Sequence, residues 1–453
     1  MHRIFIAVLV LFSLCQASGG SSGEDTSTVN KAQLAEEVRS EFMRSWNAYK
    51  KYAWSHDGLK PLSKSHYDWY STSFLMTPVD ALDTMILMGF KEEADSTRKY
   101  IVKHLSFNQD VYVKNFEFTI RLLGGLLSFY QLTDDKRLLD LARDLGDRLL
   151  PAFKSPTGMP YVYVNLKTGA VRDSISNPAE IGTLLIEFGT LSMLTGNATY
   201  YNTAKFALLQ LYGARSKIDL VGQGIDITTG KWTNTDSHIS GAIDSYYEYL
   251  LKCRILFDDA DCGIMWDKSL SAIQRYLRDD TPTGRWYGHA DMNTGERTAT
   301  VFGALDAFFP AVLALSGDLK GAVRLEESCF KMWNAHGIEP ELFDYATMKV
   351  VSPPYYLNPE IIESAYYLYK MTGDDRFLRM GKTYFDSLKM YCRTDEAFAE
   401  LKNVITKEKS DRMESYFMAE TMKYLYLLFA PPEALDFSTV IFNTEAHPIR
   451  RTW

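Results

Sequence analysis

Apolar positions recur at helical spacing along nearly the whole chain. The segments ALDTMILMGF, FTIRLLGGLLSFY, IGTLLIEFGTLSML, DSYYEYLLKCRIL, ESAYYLYKM and ETMKYLYLLF all show it, as the buried or amphipathic faces of helices require. Clean alternation, the mark of a strand, is scarce. VYVNLKTG and IDITTGKW are exceptions and predict short hairpins turning at Gly169 and Gly230. Between the helices one punctuation repeats: an apolar helix end, a Gly, Asp or Asn turn, then a polar helix start. It stands at Gly89, Thr133, Thr195, Phe257, Ser316, Thr372 and Phe429. Such turns suit a helix C-terminus followed by a new N-cap. The intervals of roughly 45 to 60 residues each leave room for two helices, one strongly apolar and one more charged. The pattern predicts a toroid, an inner ring of buried helices inside an outer amphipathic ring. An open solenoid is the alternative.

Acids interrupt the apolar helices. Asp80 and Asp83, Glu117, Glu187, Asp244, Glu360 and Glu363, and Glu414 and Glu420 all lie within or at the edges of these segments. An uncompensated buried carboxylate is costly. Each has an ordinary reading: Glu117 and Arg121 are four apart and suit a helix ion pair, and Asn358-Pro359-Glu360 suits a helix start. Taken together, acids on separate helices of one ring converge on its axis. Convergent carboxylates grip sugar hydroxyls, hold a hard cation and supply general acid and base. Near the chain end, FNTEAHP adds Thr444, whose hydroxyl and carbonyl are both hard oxygen donors of the kind Ca²⁺ prefers. His447 in the same motif is expected to be structural.

Composition narrows the partners. Across 453 residues the net charge is -8 with no basic cluster, which argues against nucleic acid. The run Ile4 to Leu14 is too short to span a bilayer. With Arg3 before it and small residues near Ala17, residues 1-17 read as a secretory signal, residues 18-30 as a flexible linker and residues 31-453 as one domain. A short anchor and a lipid-modified Cys15 are the alternatives. Cys253, Cys262, Cys329 and Cys392 are then free to form disulfides, with Cys253 and Cys262 near enough in sequence to close a small loop. Asn197 begins a glycosylation sequon.

The segments TPVDALDTMILMG, NFEFTIRLLGGLLSFY, MPYVYVNLKTG, SGAIDSYYEYLLK, PEIIESAYYLYKMTGD, DRMESYFMAETMKYLYLLF and FNTEAHP occur in order over most of the chain. In them the sequence resembles glycoside hydrolase family 47, the class I α-1,2-mannosidases. The resemblance implies an (α/α)7 barrel with a C-terminal hairpin plug, and a Ca²⁺-dependent, inverting exo-α-mannosidase acting on high-mannose N-glycans. It implies Glu117 as general acid, Asp244 as a second catalytic acid, Glu360 as general base and Thr444 as calcium ligand. Arg121, Glu187, Glu363, Glu414, Glu420 and Glu445 are implied around the calcium waters and the bound mannose.

The chain departs from that pattern at Asn358, where the family usually has Arg, at Gly303-Ala304 in place of Asp-His, and before Asp244, where an Arg is missing. Ala307 stands where a disulfide partner for Cys329 belongs. These departures lean toward the degradation-enhancing mannosidase-like or bacterial branches. They keep a second expectation open, a mannose-glycan receptor for misfolded glycoproteins with little hydrolysis. A secretory route is implied, ending outside the cell, in a periplasm, or in the lumen of the endoplasmic reticulum or Golgi.

Overall fold

The computed structural model describes residues 29–453; the expected signal segment, Cys15 and nearly all of the expected linker lie outside the described residues. Seven outer helices alternate along the chain with seven inner ones. The outer set is α1 (Lys31–Tyr52), α3 (Lys91–His104), α5 (Lys136–Leu149), α7 (Ala198–Gly213), α9 (Ala260–Ala272), α11 (Leu319–His336) and α13 (Asp375–Ser387). The inner set is α2 (Leu82–Leu87), α4 (Gly124–Thr133), α6 (Leu185–Thr195), α8 (Asp244–Phe257), α10 (Phe309–Leu315), α12 (Glu360–Thr372) and α14 (Met422–Phe429). Outer helices bury one stripe: α5 hides Leu138, Ala142, Leu145 and Leu149, the i, i+4, i+7, i+11 spacing of an amphipathic face. Inner helices are buried on nearly all sides except at their ends, as in α14, where every residue is buried. The last inner helix packs on α1, and the turn Phe417–Thr421 before it reaches α2. That closure makes the toroid an (α/α)7 barrel and excludes the open solenoid.

The repeated punctuation is built as its chemistry requires. Asp134, Gly196, Asp258 and Gly373 end inner helices in the left-handed conformation, at φ of 57, 73, 56 and 68°. One residue later Asp135, Asn197, Asp259 and Asp374 accept hydrogen bonds from the first turns of the outer helices. At Phe429 the repeat stops: Ala430 is extended and the chain turns back as a hairpin. Thus inner-to-outer links are tight turns at one end of the barrel. Outer-to-inner links lie at the other end and carry short strands, which with the C-terminal hairpin make eight small sheets. The hairpins at Gly169 and Gly230 are among these strands, each extended to a third strand. Cys253 and Cys262 form a disulfide, whereas Cys329 and Cys392 are free and buried. Asn197 is exposed as a helix cap. No helix among the described residues is long and apolar enough to cross a membrane.

Candidate active site

The C-terminal hairpin enters through the tight-turn end. Val440–Phe442 pairs with Pro448–Arg450, and Arg450 N–H donates to Gln131 at the end of α4 at 2.9 Å. Its tip, residues 443–447, is thereby pushed up the barrel axis. Asn443 organises the tip: its side-chain oxygen accepts from Glu445 N–H at 3.0 Å and His447 N–H at 2.8 Å. Gly124 must be glycine for this approach, because a Cβ there would meet Asn443 Nδ2 at 2.6 Å. Lys423 Nζ donates to the Ala446 carbonyl at 2.6 Å and pairs with Asp83 at 2.7 Å. His447 is fully buried between Asp83 at 2.7 Å and Asp80 at 3.4 Å, so its ring nitrogens are engaged with the barrel wall. Burial alone would depress its pKa, but the two aspartates outweigh it and raise it to about 9.

Above the tip lies a cavity of about 390 Å³ at the strand-bearing end. Glu117, Arg121, Asp244, Glu360, Glu420, Thr444 and Glu445 all line it. The acids reach it because they sit at or just before the N-termini of inner helices, where unsatisfied N–H groups favour negative charge. Asp244 and Glu360 open α8 and α12. Glu117 and Glu420 lie in the lead-ins to α4 and α14, where widened π-type turns, Phe118–Leu123 and Phe417–Thr421, carry Arg121 and Glu420.

Burial sorts these groups. Glu117, Asp244, Glu360 and Thr444 keep a partly open face toward the cavity, while Glu187, Glu363, Glu420 and Glu445 are buried. Arg121 donates to Glu117 through Nε at 2.9 Å and pairs with Glu445 through Nη1. Asp244 accepts from Ser245 N–H at 2.7 Å; burial, opposed by that bond, lifts its pKa to about 7. Burial also drives Glu360 well above the usual carboxylate range. Asn358 donates to Glu360 at 3.2 Å, so the residue that departs from the resemblance holds the carboxylate it precedes. Thr444 N–H donates to Tyr249 OH at 3.2 Å, and that hydroxyl donates to Glu187 at 2.6 Å. Asn443 donates to the same Glu187 oxygen at 2.7 Å, and burial raises Glu187 to about 7. Glu363 stands behind the cavity wall and accepts from Tyr424 OH at 3.1 Å.

Glu414 is placed elsewhere. It lines a neighbouring side cavity and is held by Tyr67 OH at 2.7 Å and by Arg412. The chain becomes helical only after it, so the helical phase that brings Glu420 to the axis does not govern Glu414. Sequence reasoning also passed over Glu180 and Glu341, which line the main cavity. Glu180 had a signal: Asn177-Pro178-Ala179-Glu180 is a helix start like that at Asn358, and Asn177 caps Glu180 N–H at 2.9 Å. Glu341 had none, since its place depends on a strand pairing.

A cleft at the axis of a helical barrel, presenting several separately held carboxylates, two of them paired with Arg121, suits acid–base chemistry on a hydroxyl-rich substrate. The profile of Glycosyl hydrolase family 47 matches residues 41–451, and the chain belongs to that family. It is 35% identical to Alpha-mannosidase I MNS5 of Arabidopsis thaliana, over 99% of this chain and 82% of that one. It is 36% identical to the human ER degradation-enhancing alpha-mannosidase-like protein 2, again over 99% and 82%. Among solved structures it is similar to the alpha-1,2-mannosidase from Trichoderma reesei, with a TM-score of 0.85, 29% identity, and coverage of 92% of this chain and 99% of that one. The protein is a glycoside hydrolase.

Proposed function

We propose that the protein is a Ca²⁺-dependent, inverting exo-α-mannosidase that removes α-1,2-linked mannose from high-mannose N-glycans. The observation that carries the reading is the meeting of Glu117, Asp244, Glu360 and Thr444 in one cavity, from four separate stretches of chain. The relatives' names, alpha-mannosidase I and alpha-1,2-mannosidase, support the substrate class.

Glu117, held at 2.9 Å by Arg121, protonates the departing glycosidic oxygen, directly or through one water. Glu360 takes the proton of the attacking water; burial makes it a stronger base than a solvated glutamate. Asp244, with its pKa near neutrality, exchanges protons on the same cavity wall. The donor set fits a hard cation. Seven carboxylates against two cationic side chains line the cavity, one oxygen of Glu187 is buried without a partner, and the two Thr444 oxygens take no hydrogen bond from the described residues. Thr444 would hold the ion, with Glu187, Glu363, Glu420 and Glu445 behind its waters. Bound there, calcium supplies positive charge that grips sugar hydroxyls and balances these acids.

The relatives named for the endoplasmic reticulum support its lumen as the working compartment, over a periplasm or the cell exterior. The disulfide of Cys253 and Cys262 suits that oxidising space. The test is incubation with a high-mannose N-glycan in calcium or in EDTA, with released mannose followed by NMR. Calcium-dependent release of mannose, first seen as the β anomer, is the expected result. Binding of the glycan without release makes the protein a receptor, and release that persists in EDTA removes the cation from the reading.

A further inference from the structure

The side cavity that holds Glu414 is about 320 Å³ and opens beside the catalytic one. Trp69, Tyr356, Glu400, Arg412 and Tyr416 complete its lining, and Tyr356 and Tyr416 belong to both cavities. The rings of Trp69 and Tyr416 lie 5.1 and 5.5 Å from the Arg121 guanidinium, so the aromatic wall between the cavities is braced by a residue of the catalytic site.

Two groups in this cavity are left wanting. Glu400 is only 3% exposed, yet no hydrogen bond from the described residues reaches its carboxylate. Burial, then the charge of Glu414, pushes it up to about 7 against the pull of Arg412. The indole Nε1 of Trp69 is buried without a partner. A buried N–H without a partner is costly and rare, and the Glu400 carboxylate, though its residue is largely buried, takes no donor from the described residues. Glu414, by contrast, is already satisfied by Tyr67 and Arg412. A cation is not called for, because Arg412 already answers Glu414, and an anion would be repelled by Glu400. Flat aromatic faces beside an unsatisfied acceptor and an unsatisfied N–H match a pyranose, which has an apolar C–H face and a rim of hydroxyls.

We propose that this cavity is a subsite for a second hexose of the glycan, with Glu400 accepting hydrogen bonds from its hydroxyls and Trp69 and Tyr356 contacting its C–H face. The proposal rests on the mannosidase reading for the identity of the chain that joins the two sugars. Since Tyr356 and Tyr416 are common to both walls, one oligosaccharide can occupy both cavities at once. Glu400 then selects among glycan branches by what it can reach beyond the cleaved bond.

The experiment compares wild type and Glu400→Ala on α-1,2-mannobiose and on a high-mannose oligosaccharide, with melting temperatures checked for equal folding. The expected result is a kcat/KM for the oligosaccharide that falls about tenfold further than that for the disaccharide, chiefly through KM, as the loss of hydrogen bonds to one sugar predicts. Glu400→Gln, which keeps an acceptor oxygen, recovers part of the loss. An equal change on both substrates, or none, overturns the subsite. If wild type cleaves neither substrate, the mannosidase reading fails by itself. Calorimetric binding of the same oligosaccharide then decides the subsite: binding about tenfold weaker in Glu400→Ala upholds it, and equal or absent binding overturns it.

Discussion

His447 Nδ1 lies 2.7 Å from Asp83 Oδ2, although 364 residues separate the two along the chain. The contact joins the hairpin plug to α2, and Lys423 from α14 closes on the other oxygen of Asp83 at 2.7 Å. Three distant segments therefore share one buried charge network, and the height of Thr444 in the barrel depends on it.

Removing Lys423 should expose that dependence. Lys423→Met leaves Asp83 buried with its main counter-charge gone, at a cost of about 3–5 kcal/mol. The urea midpoint falls accordingly, and calcium affinity falls with it because the plug loses its bond at Ala446. The double change Lys423→Met with Asp83→Asn should cost less than the single one. An additive double mutant would remove the pairing from the account.

The tip also needs the space at Gly124. Gly124→Ala places a methyl 2.6 Å from Asn443 Nδ2, and the overpacking should cost about 1–3 kcal/mol. Because Asn443 also supports Glu187, the variant should bind calcium more weakly than a control of equal stability. Calorimetric calcium titrations of the two distinguish displacement of the tip from simple destabilisation.

Glu117→Gln should lower kcat by about 10²–10⁴-fold while glycan binding and melting temperature stay near wild type, since only proton donation is lost. Unchanged turnover would move the acid role to another of the cavity's carboxylates.

Stability in EDTA should fall as pH rises. His447 has a folded pKa of about 9, above its unfolded value of about 6.5. Its contribution is complete below about 6.5 and disappears as pH passes 9. Asp244 and Glu187, both raised to about 7, act in the same sense, because folding binds their protons more tightly. Asp83, lowered to about 2, contributes above its unfolded pKa of about 3.9 and is lost as pH falls toward 2. The melting temperature without calcium should therefore peak near about pH 4 to 5 and decline to about pH 9, first across the range set by Asp244 and Glu187 and then across that set by His447. Calcium, by stabilising the ionised acids, should raise it most at the alkaline end, a trend that differential scanning calorimetry would record.

What the sequence disclosed follows from which constraints are local. The ring of helix pairs was legible because each turn needs its own left-handed residue and cap, as at Gly196-Asn197 and Gly373-Asp374. Glu187 and Glu420 stood out because an acid inside an apolar helix demands a reason. Glu414 misled because MESYFMAE reads as continuous helix although the chain is not helical at that residue. Most strands escaped notice because runs of two to four residues are too short to show alternation. Glu341 was invisible because its place depends on the pairing of Val301–Gly303 with Leu342–Asp344, and Glu400 because the bridge from Leu401 to the distant Tyr355 fixes its segment.

The plug also orders events in time. Thr444 is supplied by residues made after every helix of the ring, so during synthesis from the N-terminus the barrel can collapse around an axis still missing its tip. Until residue 447 has left the ribosome, the acids gathered at the axis have neither Asn443 to hold Glu187 nor Thr444 to complete the donor set. A chain halted at residue 439 would retain all fourteen helices of the ring, α1 to α14, yet lack these contacts, so the cavity gains its floor only when the last strand pair forms.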